Sequence, residues 1–158
     1  MRYRVLITPC GPLRLAIEPQ GLAHVDFLDE HDATAPEGWQ EDKQALAPFA
    51  EQFDAYFAGE LQAFCLPLSL TGTPFQQQVW HSLATIAYGE TISYGEQALR
   101  LGKARAVRAV GAANGRNPLP IVLPCHRVIG KSGQLTGYAG GLIRKRWLLD
   151  FEKANKIK

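Results

Sequence analysis

Cysteine is scarce in this chain. There are three, Cys10, Cys65 and Cys125, an odd set with no CxxC spacing, which argues against a disulfide framework and against a cysteine zinc site. Long apolar runs are missing too. Nothing approaches the roughly 20 residues that a membrane helix needs, and the opening MRYRVLITPCG is broken by Pro9 and Gly11 before a signal-peptide core can form. Internal repeats and low-complexity tracts are also absent. What remains is a chain of 158 residues, 46% hydrophobic and 20% charged, which is ordinary globular composition for one or two domains. The expectation is a soluble, unexported, cytoplasmic protein with free thiols and no membrane partner.

The most informative absence is of negative charge. Between Glu96 and Asp150 there is no acidic residue, while Arg100, Lys103, Arg105, Arg108, Arg116, Arg127, Lys131, Arg144, Lys145 and Arg146 all fall there. The formal charge of +2 therefore hides an asymmetry. Residues 1–72 hold 4 Lys/Arg against 11 Asp/Glu, a net of −7, and residues 73–158 hold 13 against 4, a net of +9. A long stretch of one sign suits a polyanion such as nucleic acid, because phosphate contacts release counterions. A solvated basic face has the same composition.

Hydrophobic periodicity divides the chain near Gly72. YRVLI, LRLAI and LAHVDFL are separated by PCGP and EPQG, the pattern of a three-stranded antiparallel meander. A polar loop from Asp29 to Asp42 precedes a helix expected from about Lys43 to Ala58, with Leu46, Phe49, Phe53 and Phe57 near one face and Gly59 at its end. FCLPLSL reads as extended. Thr73 with Gln76, and Pro74 at the first helical position, form a capping-box start. Ser93 with Glu96 opens a second, short helix through Leu101. Gly102 and Lys103 turn into a third helix, expected over about Ala104–Asn114. Two short helices joined by a glycine turn in a basic stretch suggest a helix-turn-helix. An ordinary helical hairpin would look the same, but the bare ARAVRAVGAAN surface suits close approach to a groove. LPIVLPCHRVIG reads as a buried strand leading into Cys125. A turn-rich stretch, Lys131–Gly141, leads to a last helix over about Leu142–Lys153. The fold class is α+β.

Cys125 carries the strongest chemical signal. It sits in LPCHR, beside a histidine and an arginine and far in sequence from any acid, surroundings that favour a thiolate nucleophile. Adjacent side chains of an extended segment face opposite ways, so His126 needs a turn or a bridging water to serve the sulfur. Cys10 and Cys65 lack such flanks and are read as inert, buried cysteines. His24, His31 and His81 show no metal-ligand spacing.

From Gly72 to Glu152 the chain resembles the catalytic domain of the O6-alkylguanine-DNA alkyltransferases, the methylated-DNA–protein-cysteine methyltransferase family. GTPFQQQVW, ISYGEQA, RAVGAANGRNP, PCHRVIG, GYAGG and RKRWLL occur in order and are followed by Glu152. The resemblance implies direct DNA repair, a stoichiometric and irreversible transfer of an alkyl group from O6 of guanine, and from O4 of thymine, to Cys125 after nucleotide flipping. It implies domains over 1–70, ribonuclease-H-like with a small antiparallel sheet plus helix, and over 71–158, mainly helical with the helix-turn-helix. His126 would be the base acting through a water, oriented by Glu152, and Asn117 would tie the recognition helix to the active-site segment. Tyr94 would donate to the flipped base. Arg108 would fill the gap in the duplex from the minor groove, with Arg105, Arg116, Ala109 and Gly111 against the DNA. Tyr138, Ala139, Val128 and Pro120 would line the pocket, Val128 through its carbonyl, which with that of Cys125 would accept from the exocyclic amine of the base. The implied partner is double-stranded alkylated DNA, bound by a monomer. No cofactor is implied. Some relatives carry a structural zinc in the first domain, but Glu18 and Ala23 stand at the ligand positions, so no metal is expected. Without the resemblance, a cysteine hydrolase and a helix-turn-helix transcription factor remain open. A non-enzymatic damage-binding protein on the same scaffold would lack the nucleophile that Cys125 supplies.

Overall fold

A computed structural model describes residues 1–29 and 34–156. The chain forms two compact units, Met1–Leu70 and Thr71–Lys158. His31 and part of the expected polar loop lie outside the described residues.

The first unit is a sheet with one helix. Strands β1 (Arg2–Thr8), β2 (Gly11–Glu18) and β3 (Gly21–Phe27) form the expected meander. A fourth strand, β4 (Gln40–Glu41), pairs parallel with β1 in the order β3-β2-β1-β4. The sheet is thus mixed and not purely antiparallel, and β4 was hidden in a polar segment too short to show periodicity. A register shift at Ala16/Ile17 explains why two consecutive residues, Leu15 and Ala16, are both fully buried, since a bulge interrupts the period of two.

Helix α1 (Ala47–Phe57) buries Phe49, Ala50, Phe53 and Tyr56. It starts four residues later than the periodicity suggests. Pro48 has no N–H and fits only the first turn of a helix, and Lys43–Leu46 form a turn held by Asp42, which accepts from the Ala45 amide at 2.9 Å. The buried face takes Tyr56 where Phe57 was expected. FCLPLSL forms no named strand. It contributes a single bridge, Leu68 to Leu22, with the Leu22 amide donating to the Pro67 carbonyl at 2.9 Å. Gly21 makes that approach possible, because a Cβ there would lie 2.3 Å from the Pro67 oxygen. Cys10 is buried, whereas Cys65 is exposed, contrary to its reading as buried.

In the second unit, α2 (Pro74–Leu83) has the complete expected capping box: the Thr73 hydroxyl accepts from the Gln76 amide and the Gln76 side chain accepts from the Thr73 amide. Strand β5 (Ile92–Ser93) leads into α3 (Tyr94–Arg100). Ser93 caps α3 through the Glu96 amide at 3.0 Å, but the Glu96 carboxylate turns to Arg100, so only half of a capping box forms. Helix α4 (Val107–Gly115) starts three residues after the expected Ala104 and ends one residue after the expected Asn114. Arg105 therefore precedes the helix. Val79, Ala98, Val110 and Ala113 pack α2, α3 and α4 together, and the Trp80 indole donates to the Ala113 carbonyl at 2.8 Å. Helix α5 (Leu142–Asn155) runs two residues beyond its expected end. No helix among the described residues is long and apolar enough to cross a membrane.

Candidate active site

The segment before Cys125 is a buried loop and not the expected strand. Asn117 braces it from inside: its side-chain amide donates to the Leu123 carbonyl at 2.7 Å, and its oxygen accepts from the Leu119 amide at 2.9 Å. Those bonds fold 118–123 back on itself, and Ile121 is driven to φ 78°, a left-handed conformation that a β-branched residue adopts only under strain. An apolar run that is buried without a sheet partner looks like a strand in sequence, which is why the period misled.

Cys125–Arg127 form a single 3₁₀ turn, and β6 (Val128–Ile129) follows, pairing parallel with β5. This two-residue pairing is what brings the start of α3 to the nucleophile segment. Tyr94 and Cys125 both line one cavity of about 460 Å³, together with Gly111, Asn117, Pro120, Tyr138 and Ala139. Four further residues, Asn114, Gly115, Thr136 and Gly137, complete the wall. Val128, whose carbonyl was expected to face the base, is wholly buried in β6. A larger cavity of about 620 Å³ lies in the first unit between Met1–Arg2, Ile17–Pro19 and Gly38–Gln40. It contains no nucleophile, so volume alone does not identify the site.

Beside Cys125 is a buried charge cluster. His126 and Glu152 are fully buried, with His126 Nε2 2.8 Å from Glu152 Oε2. Arg127 grips the same carboxylate with Nε at 2.8 Å and Nη2 at 3.0 Å, and its Nη1 donates to the Ile86 carbonyl at 2.7 Å. The Tyr88 ring lies 5.6 Å from the guanidinium carbon. His126 Nδ1 is buried without a hydrogen-bond partner among the described residues. If Nε2 carries the proton donated to Glu152, Nδ1 is left as the basic nitrogen.

Burial pushes the Cys125 thiol above its ordinary value, with Asn117 and then Lys145 pulling the other way. Burial therefore opposes the thiolate that neighbouring positive charge was expected to favour. Burial also lowers His126, against the opposing pull of Glu152, so its imidazole is neutral near pH 7. Glu152 is penalised by burial, yet His126 and Arg127 outweigh that and hold it well below the carboxylate range. A neutral imidazole oriented by an ionised carboxylate thus follows the buried thiol directly in the chain, an arrangement that can activate a nucleophile.

Arg108, Arg105, Arg116 and Ala109 are exposed on or next to α4, and Gly111 is partly buried at the cavity. None of the three arginines is paired with an acid among the described residues. Sequence reasoning missed Arg127 and Lys145, which were counted with the basic surface. Both are buried. Lys145, Leu148 and Glu152 recur at i, i+3 and i+7 on α5 and share its buried face, a spacing that marks the lysine and glutamate as inward-facing. His24 and His81 take no metal-like arrangement: among the described residues no group of three or more His, Cys, Asp or Glu is placed to hold a metal. Glu18 accepts instead from the Ser69 hydroxyl at 2.6 Å.

Two family models match the chain. Residues 1–70 match the ribonuclease-like domain, and residues 74–154 the DNA binding domain, of 6-O-methylguanine DNA methyltransferase. A methylated-DNA–protein-cysteine methyltransferase of Mycobacterium tuberculosis is 50% identical over 154 residues, 98% of this chain and 93% of that protein. One from Methanosarcina barkeri is 49% identical over 156 residues, 98% and 99% of the two. The crystal structure of Mycobacterium tuberculosis OGT in complex with DNA superimposes with a TM-score of 0.90 at 50% identity, covering 98% of this chain and 94% of that one.

Proposed function

Since the chain belongs to the 6-O-methylguanine DNA methyltransferase family, we propose from its site how the family's chemistry runs here. The protein repairs DNA by direct reversal, as a methylated-DNA–protein-cysteine methyltransferase that moves an alkyl group from O6 of guanine to its own cysteine. Cys125 is that cysteine in our reading, and one observation carries it: the sulfur lines the cavity that Tyr94 and Asn117 share, next to the buried His126–Glu152–Arg127 cluster.

The duplex is bound from the minor groove, with α4 inserted, and the damaged nucleotide is flipped into the cavity. Arg108 takes its place in the stack, while Arg105 and Arg116 meet phosphates; Ala109 and Gly111 let the α4 backbone come close. Tyr138, Ala139 and Pro120 bound the base and its alkyl group, with Val128 contributing through its backbone. His126 draws the thiol proton through a water. The Cys125 sulfur forms a bond to the alkyl carbon as the carbon–O6 bond breaks, and that electron pair passes to the guanine. Tyr94 donates to the departing base while the charge develops. The proton is returned through solvent as the guanine N1–H. A thioether is a poor leaving group, so each protein molecule acts once, and because the DNA supplies the alkyl group, no donor cofactor enters the balance. O4-alkylthymine presents the same ether linkage and is a second substrate. We further read 1–70 and 71–158 as separate domains, the protein as a monomer, and the reducing cytoplasm as its place, where three unbridged cysteines stay thiols.

Incubation of the protein with a duplex containing O6-methylguanine is expected to add one methyl mass to the peptide holding Cys125. Cys125→Ser should bind the same duplex without gaining mass. An unmodified Cys125 peptide from folded protein sinks the assignment.

A further inference from the structure

Tyr94 has a neighbour on the cavity wall to which the chemistry above gives no part. Thr136 donates its hydroxyl to the Tyr94 phenol oxygen at 3.2 Å, and both residues line the cavity. The Thr136 carbonyl is held independently, accepting from Lys145 Nζ at 2.8 Å. Lys145 is fully buried on α5, and its ammonium lies 5.9 Å from the Tyr94 ring centroid. That hydrogen bond therefore anchors the backbone of residue 136 whatever side chain the residue carries.

A phenol has a single proton and can also accept. When its oxygen accepts from Thr136, that proton is left to point elsewhere, and the other polar group due at this wall is the extruded base. The reverse polarity would turn the proton toward Thr136 and away from the base. We infer that Thr136 is a positioning residue for alkyl transfer: its hydroxyl orients the Tyr94 phenol so that the phenol donates to the departing guanine. The inference rests on the role proposed above for Tyr94. A donor aimed at charge that develops only as the carbon–O6 bond breaks acts on the rate of the step and not on binding of the duplex.

Thr136→Val keeps the shape and the carbonyl bond to Lys145 and removes only the hydroxyl. In single-turnover reactions with an O6-methylguanine duplex, across a range of protein concentrations, it is expected to lower the saturating rate constant about tenfold, the effect of one modest hydrogen bond. The half-saturating concentration should stay within about twofold, and Thr136→Ser should restore the rate. Thr136→Ala, carried alongside, should lose as much as the valine variant. In a Tyr94→Phe background, Thr136→Val should cost nothing further, because the hydroxyl acts only through the phenol. A wild-type or faster rate for Thr136→Val, or losses that add to those of Tyr94→Phe, would overturn the inference. If the wild-type protein leaves Cys125 unmethylated, the proposed function itself fails; if it reacts and Thr136→Val reacts equally well, only the role of Thr136 fails.

Discussion

Glu152 is a carboxylate without solvent, and it is kept ionised by two partners at once. Arg127 binds it through two nitrogens at 2.8 and 3.0 Å, and His126 holds it at 2.8 Å. Glu152→Gln removes the charge from a site where the Arg127 guanidinium then stays buried and unpaired, a loss of about 3 kcal/mol. Chemical denaturation should read that loss as a lower midpoint. The same substitution replaces one carboxylate oxygen with an NH2 donor, so Arg127 and His126 compete for the single acceptor left; with the His126 tautomer no longer fixed, the single-turnover rate should fall about 10- to 100-fold, the usual effect of weakening an orienting partner. A folded variant with an undiminished rate would mean that His126 does not act as the base. The pH dependence of stability has a definite sign. The folded protein holds His126 below its ordinary 6.5 and Glu152 below its ordinary 4.5. In the window under each ordinary value, the unfolded chain takes up the proton and the folded chain does not, so acid favours unfolding. The thermal midpoint is expected to be level between about pH 7 and pH 8, to fall from about pH 6.5 downward through His126, and to fall again below about pH 4.5 through Glu152. Differential scanning calorimetry across that range checks it, and a midpoint that rises on acidification from neutrality would contradict a buried neutral imidazole.

Helix starts were legible where the determining contact spans three residues. Thr73 and Gln76 cap each other in the structure as their spacing implies, and Thr73→Ala should cost about 1 kcal/mol. The measurement is again a denaturation midpoint, with an unchanged slope, since α2 is docked by Val79 and Trp80 whether or not its first turn is capped. A change below a few tenths of a kcal/mol would show that the first turn frays without consequence. Other boundaries slipped for identifiable reasons. Pro48 moved the start of α1, and α4 starts only at Val107 because the Ala106 amide bonds to the Lys103 carbonyl in a turn that precedes it. The larger misreading, a strand at 119–124, came from contacts that no local pattern reports, the two side-chain bonds of Asn117 to Leu119 and Leu123. The nucleophile motif survived that error. PCHR identifies its residues by type and order, whereas the 3₁₀ turn that presents them depends on the β5–β6 pairing between segments 36 residues apart in register, Ile92 with Val128.

At the scale of the whole chain, the split between an acidic first unit and a basic second one is plain in the sequence, but which cations meet solvent is not. Of the ten basic residues in the acid-free stretch, Arg127 and Lys145 are buried, Arg100 pairs with Glu96, and Arg146 pairs with Asp150. The pairing of Arg127 depends on Glu152, which lies beyond that stretch. Arg144 is half-buried and donates to the Gly140 carbonyl at 3.5 Å, which leaves Lys103, Arg105, Arg108, Arg116 and Lys131 exposed with no acid partner among the described residues. The cationic surface open to a polyanion is therefore smaller than the raw count of charges, and four of its five residues lie on or near α4. Each phosphate contact releases a condensed counterion, so Arg105→Ala and Arg116→Ala should each reduce the slope of log K against log salt by about 0.9, measured on unmodified duplex by fluorescence anisotropy. Arg108 should behave differently. A guanidinium that fills a gap in the base stack matters only when a base must be extruded, so Arg108→Ala should slow repair of duplex O6-methylguanine far more than reaction with the free O6-alkylguanine base. Equal losses on the two substrates would place Arg108 among the phosphate contacts and leave the gap to be filled by another group.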